Sequence, residues 1–164
     1  MSAISIREAA AADLEAVNAI YNHYVLHCTC TYQTAPTTPE IRRGWFAAHD
    51  AQHPVTVAVD DGTVVGWGAL SPFHTREAYR FTAEVSVYVR EDRQRRGIGR
   101  KLLADLIERA RPLGYHSLIA VIDREQPGSL ALHAALGFAE AGRLREVGFK
   151  FDRWLDVVYM QRMV

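Results

Sequence analysis

The stretch from Glu84 to Arg100 constrains this chain more than any other. Glu84-Val-Ser-Val-Tyr-Val-Arg90 alternates as a strand with one buried face, and Gln94-Arg-Arg-Gly-Ile-Gly-Arg100 follows as a cationic, glycine-rich turn opening a helix. A helix N-terminus presents unpaired N–H groups and the positive end of its dipole, so strand, glycine turn and helix in this order make an anion site. Gly97 and Gly99 remove Cβ atoms where phosphate oxygens would approach the main chain, while Arg95, Arg96 and Arg100 can add charge-assisted contacts. The same spacing also suits a solvated basic turn capping an ordinary helix. A P-loop is disfavoured, because no Gly-Lys-Ser/Thr follows the turn.

The remaining constraints concern size, charge and redox setting. At 164 residues, 49% of them hydrophobic, the chain is expected to form a single domain, 1–164, with a sizeable core. Nineteen basic residues balance nineteen acidic ones, so no overall field favours nucleic acid or an acidic membrane surface. Cys28 and Cys30 are the only cysteines, and with no second pair or His-x-x-x-His nearby they predict no metal site and a reducing, cytoplasmic setting. The N-terminus from Met1 lacks a basic region before a long apolar run, and no segment approaches about 18 uninterrupted apolar residues, so neither secretion nor membrane spanning is expected.

Along the chain, Ile4–Arg7 alternates as a short strand, and residues 10–25 carry helical apolar spacing with Asp13 near the start. Residues 28–39 are rich in Thr and Pro and read as loop, before a second helix capped by Thr38-Pro39-Glu40 and running to about Ala51. Val55–Val59 and Val64–Leu70 flank Asp60-Asp61-Gly62, a hairpin signal. A polar segment, Phe73–Arg80, precedes the Val85–Val89 strand and is a candidate substrate loop. A helix over 99–111, a buried strand over 117–122, and a short helix over 129–136 capped by Ser129 and closed by Gly137 come next. The tail from Phe149 to Met163 supplies one or two final strands. With no internal repeat, this order predicts an α/β (α+β) fold in which a single mixed central sheet is flanked by helices on both faces.

The Gln/Arg-x-x-Gly-x-Gly turn after a mid-chain strand, with a later short helix ending Leu136-Gly-Phe138, resembles the GNAT superfamily of acyl-CoA-dependent N-acetyltransferases. Within it, Arg76-Glu-Ala-Tyr79, Thr82-Ala-Glu84, Val87-Tyr-Val89, Gln94-Arg95, Ala120-Val-Ile122, His133-Ala-Ala-Leu-Gly137 and Gly148-Phe-Lys150 look like the phosphinothricin and methionine sulfoximine or sulfone N-acetyltransferases. The resemblance covers nearly the whole chain. It implies the GNAT fold, acetyl-CoA as co-substrate, and a homodimer. Pantetheine would lie along the backbone of Val87, Tyr88 and Val89, and pyrophosphate on the amides of Arg95, Arg96, Gly97, Ile98, Gly99 and Arg100. Gln126 stands where the family usually has Asn, a departure that puts its pantetheine contact in question.

A carboxylate at a strand end can take the proton that an alkylammonium must lose before attacking a thioester, and Glu84 of the Thr-Ala-Glu motif is the candidate base. His133 occupies the position of a tyrosine thought to protonate the departing thiolate, and its imidazole can act as acid or second base. Arg76 matches an arginine able to pair with an α-carboxylate. Tyr32, Phe73, Tyr79, Thr82, Lys150 and Trp154 are candidate pocket residues, whereas Trp67 reads as core. The implied reaction is acetyl transfer to the α-amine of a small amino acid by direct attack in a ternary complex. An acetyltransferase for protein N-termini or another amine, and a non-catalytic acyl-CoA sensor, are the alternatives.

Overall fold

The computed structural model describes residues 4–164; the reading of Met1–Ala3 lies outside them. Seven strands form one sheet in the order β1-β2-β3-β4-β5-β7-β6. They are β1 Ser5–Glu8, β2 Val55–Asp60, β3 Thr63–Pro72, β4 Thr82–Val89, β5 Ser117–Asp123, β6 Ala139–Lys150 and β7 Arg153–Met163. The helices are α1 Leu14–His27, α2 Pro39–Ala47, α3 Ile98–Ala110 and α4 Pro127–Ala135. Only β4 and β5 run parallel; every other neighbouring pair is antiparallel. A mixed sheet carrying helices on both faces is thus the observed architecture.

Strand alternation divides the core. Trp67 and Ala69 of β3 pack with Val17, Ile20 and Tyr24 of α1, while Leu70 joins Leu103, Leu106 and Ile107 of α3 on the opposite face. Leu102, Leu103 and Leu106 are fully buried, each contributing about 1.5–3 kcal/mol by removal from water. Their i, i+1, i+4 spacing is the apolar stripe legible in the sequence.

The feature that positions the site is the short pairing of β4 with β5. It covers Thr82, Ala83 and Glu84 against Ser117, Leu118 and Ile119 and stops there. β4 stays paired with β3 as far as Val89, and β5 with β7 as far as Asp123, so the two strands diverge as rigid halves of the sheet.

Several boundaries differ from the sequence reading. α1 begins at Leu14, because Ala11–Asp13 form a 3-10 turn in which Asp13 accepts from the Ala10 N–H at 2.7 Å and from Arg7 Nη1 and Nη2 at 2.7 and 2.8 Å. α2 stops at Ala47, and Asp50 Oδ1 instead accepts from the N–H groups of Gln52 and His53 in a turn. β4 starts three residues earlier than the apolar run, which puts Glu84 inside the strand and not ahead of it. The tail strand is preceded by β6, an exposed edge strand whose register breaks at Glu140/Gly142 and Leu144/Gly148; those irregularities hide its alternation. Ser129 lies within α4 and does not cap it. Gln126 is the N-cap, with Pro127 at the first helical position.

Asp13 is buried, and the hydrogen bonds from Arg7 hold its carboxyl below the usual carboxylate range. Its stabilising effect is present above the unfolded-state pKa and disappears as pH falls through the folded-state value. Asp13→Asn should therefore cost about 1–2 kcal/mol at neutral pH by urea unfolding, with the difference from the parent shrinking in acid.

Candidate active site

Two cavities meet at the divergence of β4 and β5. The larger, about 710 Å³, is a cleft between Val85–Val89 of β4 and Ala120–Asp123 of β5, closed by the N-terminal ends of α3 and α4. The smaller, about 460 Å³, lies on the α1–α2 face, where alternation directs Glu84, Ser86 and Tyr88 toward Tyr21, Thr31, Tyr32, Arg42 and Trp45. Cys30, Ser86, Tyr88, Val121 and Asp123 line both.

The cleft suits an acyl-CoA. Beyond Glu84 the β4 edge facing β5 has no ladder partner, leaving main-chain groups available to pantetheine amides. Gly97, in the left-handed region at φ 77°, turns the chain into α3, whose first turn has neither a side-chain cap nor an acidic residue. Arg95, Gly97, Ile98, Gly99 and Arg100 line the cleft around these open N–H groups, while Arg96 is exposed beside them. Among the described residues no carboxylate lies within 4.0 Å of Arg95, Arg96 or Arg100, whereas Arg90 and Arg93 are paired with Asp92 and Asp60. Val87, Tyr88 and Val89 line the cleft, and Tyr24 Oη, which accepts from Gln94 Nε2 at 2.6 Å, donates to the Val89 carbonyl.

Gln126 also lines the cleft, with its Nε2 donating to Thr29 Oγ1 at 3.2 Å. Its longer side chain reaches the 28–31 loop. His133 is buried in the cleft wall with Phe138 edge-on at 5.1 Å. Burial lowers its pKa, and Nδ1 lies 2.8 Å from the Ser129 carbonyl. A carbonyl only accepts, so Nδ1 carries the hydrogen and Nε2 of the neutral ring carries a lone pair.

Glu84 is half-buried in the smaller cavity, and among the described residues its carboxylate has no ion-pair or hydrogen-bond partner. Burial raises its pKa above the usual carboxylate value. Of the side chains read as substrate-binding, Tyr32 alone lines this cavity. Its hydroxyl donates to the Asp156 carbonyl at 3.2 Å, and burial, with Asp123 nearby, pushes its pKa up. Phe73 and Tyr79 pack edge-on at 5.8 Å on the loop after β3, where Arg76 and Tyr79 are exposed. Thr82, which opens β4 opposite Ser117 of β5, lines neither cavity. Trp154 is 62% exposed and lies against Phe149. Lys150 is buried, and its Nζ donates to the Cys28 and Thr31 carbonyls at 2.6 and 2.7 Å, so it holds the loop that carries Tyr32 and does not face the cavity.

Other cavity residues escaped the sequence reading. Arg42 and Trp45 share a face of α2, a spacing visible in the sequence but readable as a solvated helix face. Trp67, read as core, is 2% exposed and also lines the cavity. Asp123 is buried at the junction, where its Oδ1 accepts from the Glu125 N–H at 2.6 Å. Cys28 and Cys30 are free thiols. Hydrogen bonding from Cys30 draws Cys28 down to about 6, while that bond and burial hold the Cys30 thiol up.

A divided sheet with an open helix N-terminus at one cavity and a half-buried carboxylate in the next suits an acyl-CoA-dependent acyltransferase. The chain belongs to the Acetyltransferase (GNAT) family, whose model matches residues 17–138, and is an N-acetyltransferase using acetyl-CoA. It is 40% identical over 159 residues to the L-amino acid N-acyltransferase MnaT of Escherichia coli, covering 96% of this chain and 92% of that one. It is 43% identical over 159 residues to the L-methionine sulfoximine/L-methionine sulfone acetyltransferase of Pseudomonas paraeruginosa, with the same coverage, 96% and 92%. The solved GNAT phosphinothricin acetyltransferase from Sinorhizobium meliloti in complex with AcCoA superimposes with a TM-score of 0.96 at 39% identity, covering 100% of this chain and 89% of that one.

Gly148 of β6 lies against the Tyr32 ring so closely that a Cβ would overlap it. Gly148→Ala should displace Tyr32 and lower kcat/KM by about tenfold or more, with acetyl-CoA affinity unchanged by titration calorimetry.

Proposed function

We propose that this enzyme acetylates the α-amine of a small L-amino acid bearing an oxygenated side chain, of the methionine sulfone, methionine sulfoximine or phosphinothricin type. The observation that carries this reading is that a cavity of about 460 Å³ shares Ser86 and Tyr88 with the acyl-CoA cleft and holds Glu84. Its size favours a small molecule over a peptide segment. The names of the relatives support the same substrate class.

Acetyl-CoA supplies an activated thioester. Glu84 accepts a proton from the substrate ammonium, freeing the nitrogen lone pair for direct attack. Its elevated pKa brings its basicity closer to the working pH. Neutral His133, with Nε2 as an acceptor, orients a donor in the cleft and takes a proton only transiently. Arg76 binds the α-carboxylate from the 73–81 loop. Ser71 and Glu84, register partners next to the Pro72–Ala83 pair at the base of that loop, both line the cavity. The free thiols fit a reducing cytoplasm, and among the described residues no helix is long and apolar enough to cross a membrane.

Glu84→Gln should lower kcat by about 10²–10⁴ while leaving acetyl-CoA binding intact. In the parent, kcat/KM should fall as pH drops through the raised Glu84 pKa, so the acidic limb of the profile lies above the usual carboxylate range and is lost in the variant. Full activity of Glu84→Gln would exclude Glu84 as base, and acetyl-CoA binding without turnover of any amine by the parent would favour a sensor.

The chain also forms a homodimer in this reading, through the apolar side chains that β6, β7 and the turn between them leave exposed, namely Leu144, Val147, Phe149, Phe151 and Trp154. Sedimentation should give a dimer at micromolar concentration, and Trp154→Glu should shift it toward monomer.

A further inference from the structure

Arg42 is the one arginine among the described residues that is buried, at 4% exposure, and it lines the acceptor cavity. No carboxylate lies within 4.0 Å of it among those residues. Its Nε donates to Asn18 Oδ1 at 3.1 Å and its Nη2 makes a long contact to Thr37 Oγ1 at 3.4 Å, while Nη1 has no protein acceptor. The guanidinium is held among three rings, 4.7 Å from Tyr21, 4.6 Å from Trp45 and 5.6 Å from Trp67. The other buried cation, Lys150, is satisfied by two carbonyls.

A buried guanidinium without a counter-ion is costly unless something else supplies acceptors. The open side of Arg42 faces a cavity lined by two carboxylates, Glu84 and Asp123, neither of which is its ion-pair partner; Asp123 sits at the β5 end, its Oδ1 accepting from the Glu125 N–H. Glu84 and Arg42 therefore mark separate poles of one chamber, an acceptor of protons on β4 and a donor of hydrogen bonds on α2. An amino acid that presents its α-ammonium to Glu84 extends its side chain toward Arg42.

We propose that Arg42 forms the specificity subsite for the distal oxygens of the amino-acid side chain, a tetrahedral phosphinate, sulfone or sulfoximine group. This rests on the small-amino-acid reading above and assigns the end of the cavity that distinguishes one such substrate from another. The planar donor fork takes two oxygens of a phosphinate or sulfone, or the oxygen and imino nitrogen of a sulfoximine, and Trp45, Trp67 and Tyr21 provide an apolar wall for its methyl group. An anionic phosphinate gains most, a neutral sulfone less, and a thioether without oxygens nothing.

The test measures kcat/KM for phosphinothricin, methionine sulfone and methionine in the parent, Arg42→Gln and Arg42→Lys, together with calorimetric titration of phosphinothricin in the presence of CoA. The expected result is that Arg42→Gln reduces the preference for the oxygenated substrates over methionine by about tenfold or more, chiefly through KM, with Arg42→Lys intermediate because it keeps charge but loses the fork. A preference unchanged in either variant overturns the subsite. So does an equal loss for all three amino acids, which would place Arg42 on the shared α-carboxylate or in the fold alone. Should Arg42→Gln fail to fold, Arg42→Lys decides by the same ratio. The underlying reading fails separately: a parent that turns over none of the three, yet binds phosphinothricin in a manner weakened by Arg42→Lys, loses the acetyl-transfer assignment and keeps the subsite.

Discussion

Everything in this molecule depends on where two parallel strands stop holding each other. The β4–β5 ladder ends at Glu84 and Ile119, and because β4 remains anchored to β3 and β5 to β7, the divergence is built into two rigid half-sheets. The separation frees one main-chain edge for a ligand. It also lets the two faces of the sheet communicate, so that Ser86 and Tyr88 line the larger cleft and the smaller cavity at once. A ladder continued for two more residues would close that passage.

The acceptor cavity is held by a different kind of contact. The 28–37 segment has no regular structure, and its backbone carbonyls are captured by side chains from distant elements: Lys150 takes those of Cys28 and Thr31, and Asn18 and Asn22 take that of Thr37. Buried donors on buried carbonyls are strong constraints, since either group left alone would carry the full cost of desolvation. Tyr32 is thereby fixed over β6, where only a glycine leaves room for its ring. Lys150 consequently acts on the substrate site through the loop it clamps.

The charge arrangement follows the same division of labour. In the cofactor cleft, Arg95 and Arg100 surround a helix terminus with no acidic neighbour in its first turn, so the field is matched to phosphate. In the smaller cavity, Glu84 and Arg42 are both partly desolvated and, among the described residues, without a counter-ion, with their pKa values displaced by burial in opposite directions, upward for the carboxyl and downward for the guanidinium. Burial thus makes Glu84 a better base while Arg42 stays a cation. Perturbed titratable groups left without partners belong to function more often than to stability.

The local pattern alone carried the β4 strand, the glycine turn and the α3 stripe, because each is encoded in contiguous residues by alternation, by Gly97 and by i, i+4 apolar spacing. The residues that line the larger cleft were therefore largely legible, although Arg96 lies outside its lining. The acceptor side was not. Arg42 on a helix reads as solvent-facing, and Lys150 reads as a pocket residue until its partners Cys28 and Thr31, far away in sequence, are known. Short-range periodicity decides which elements form and which backbone groups stay open. Which buried side chain ends without a partner depends on long-range packing, and that only the folded chain decides.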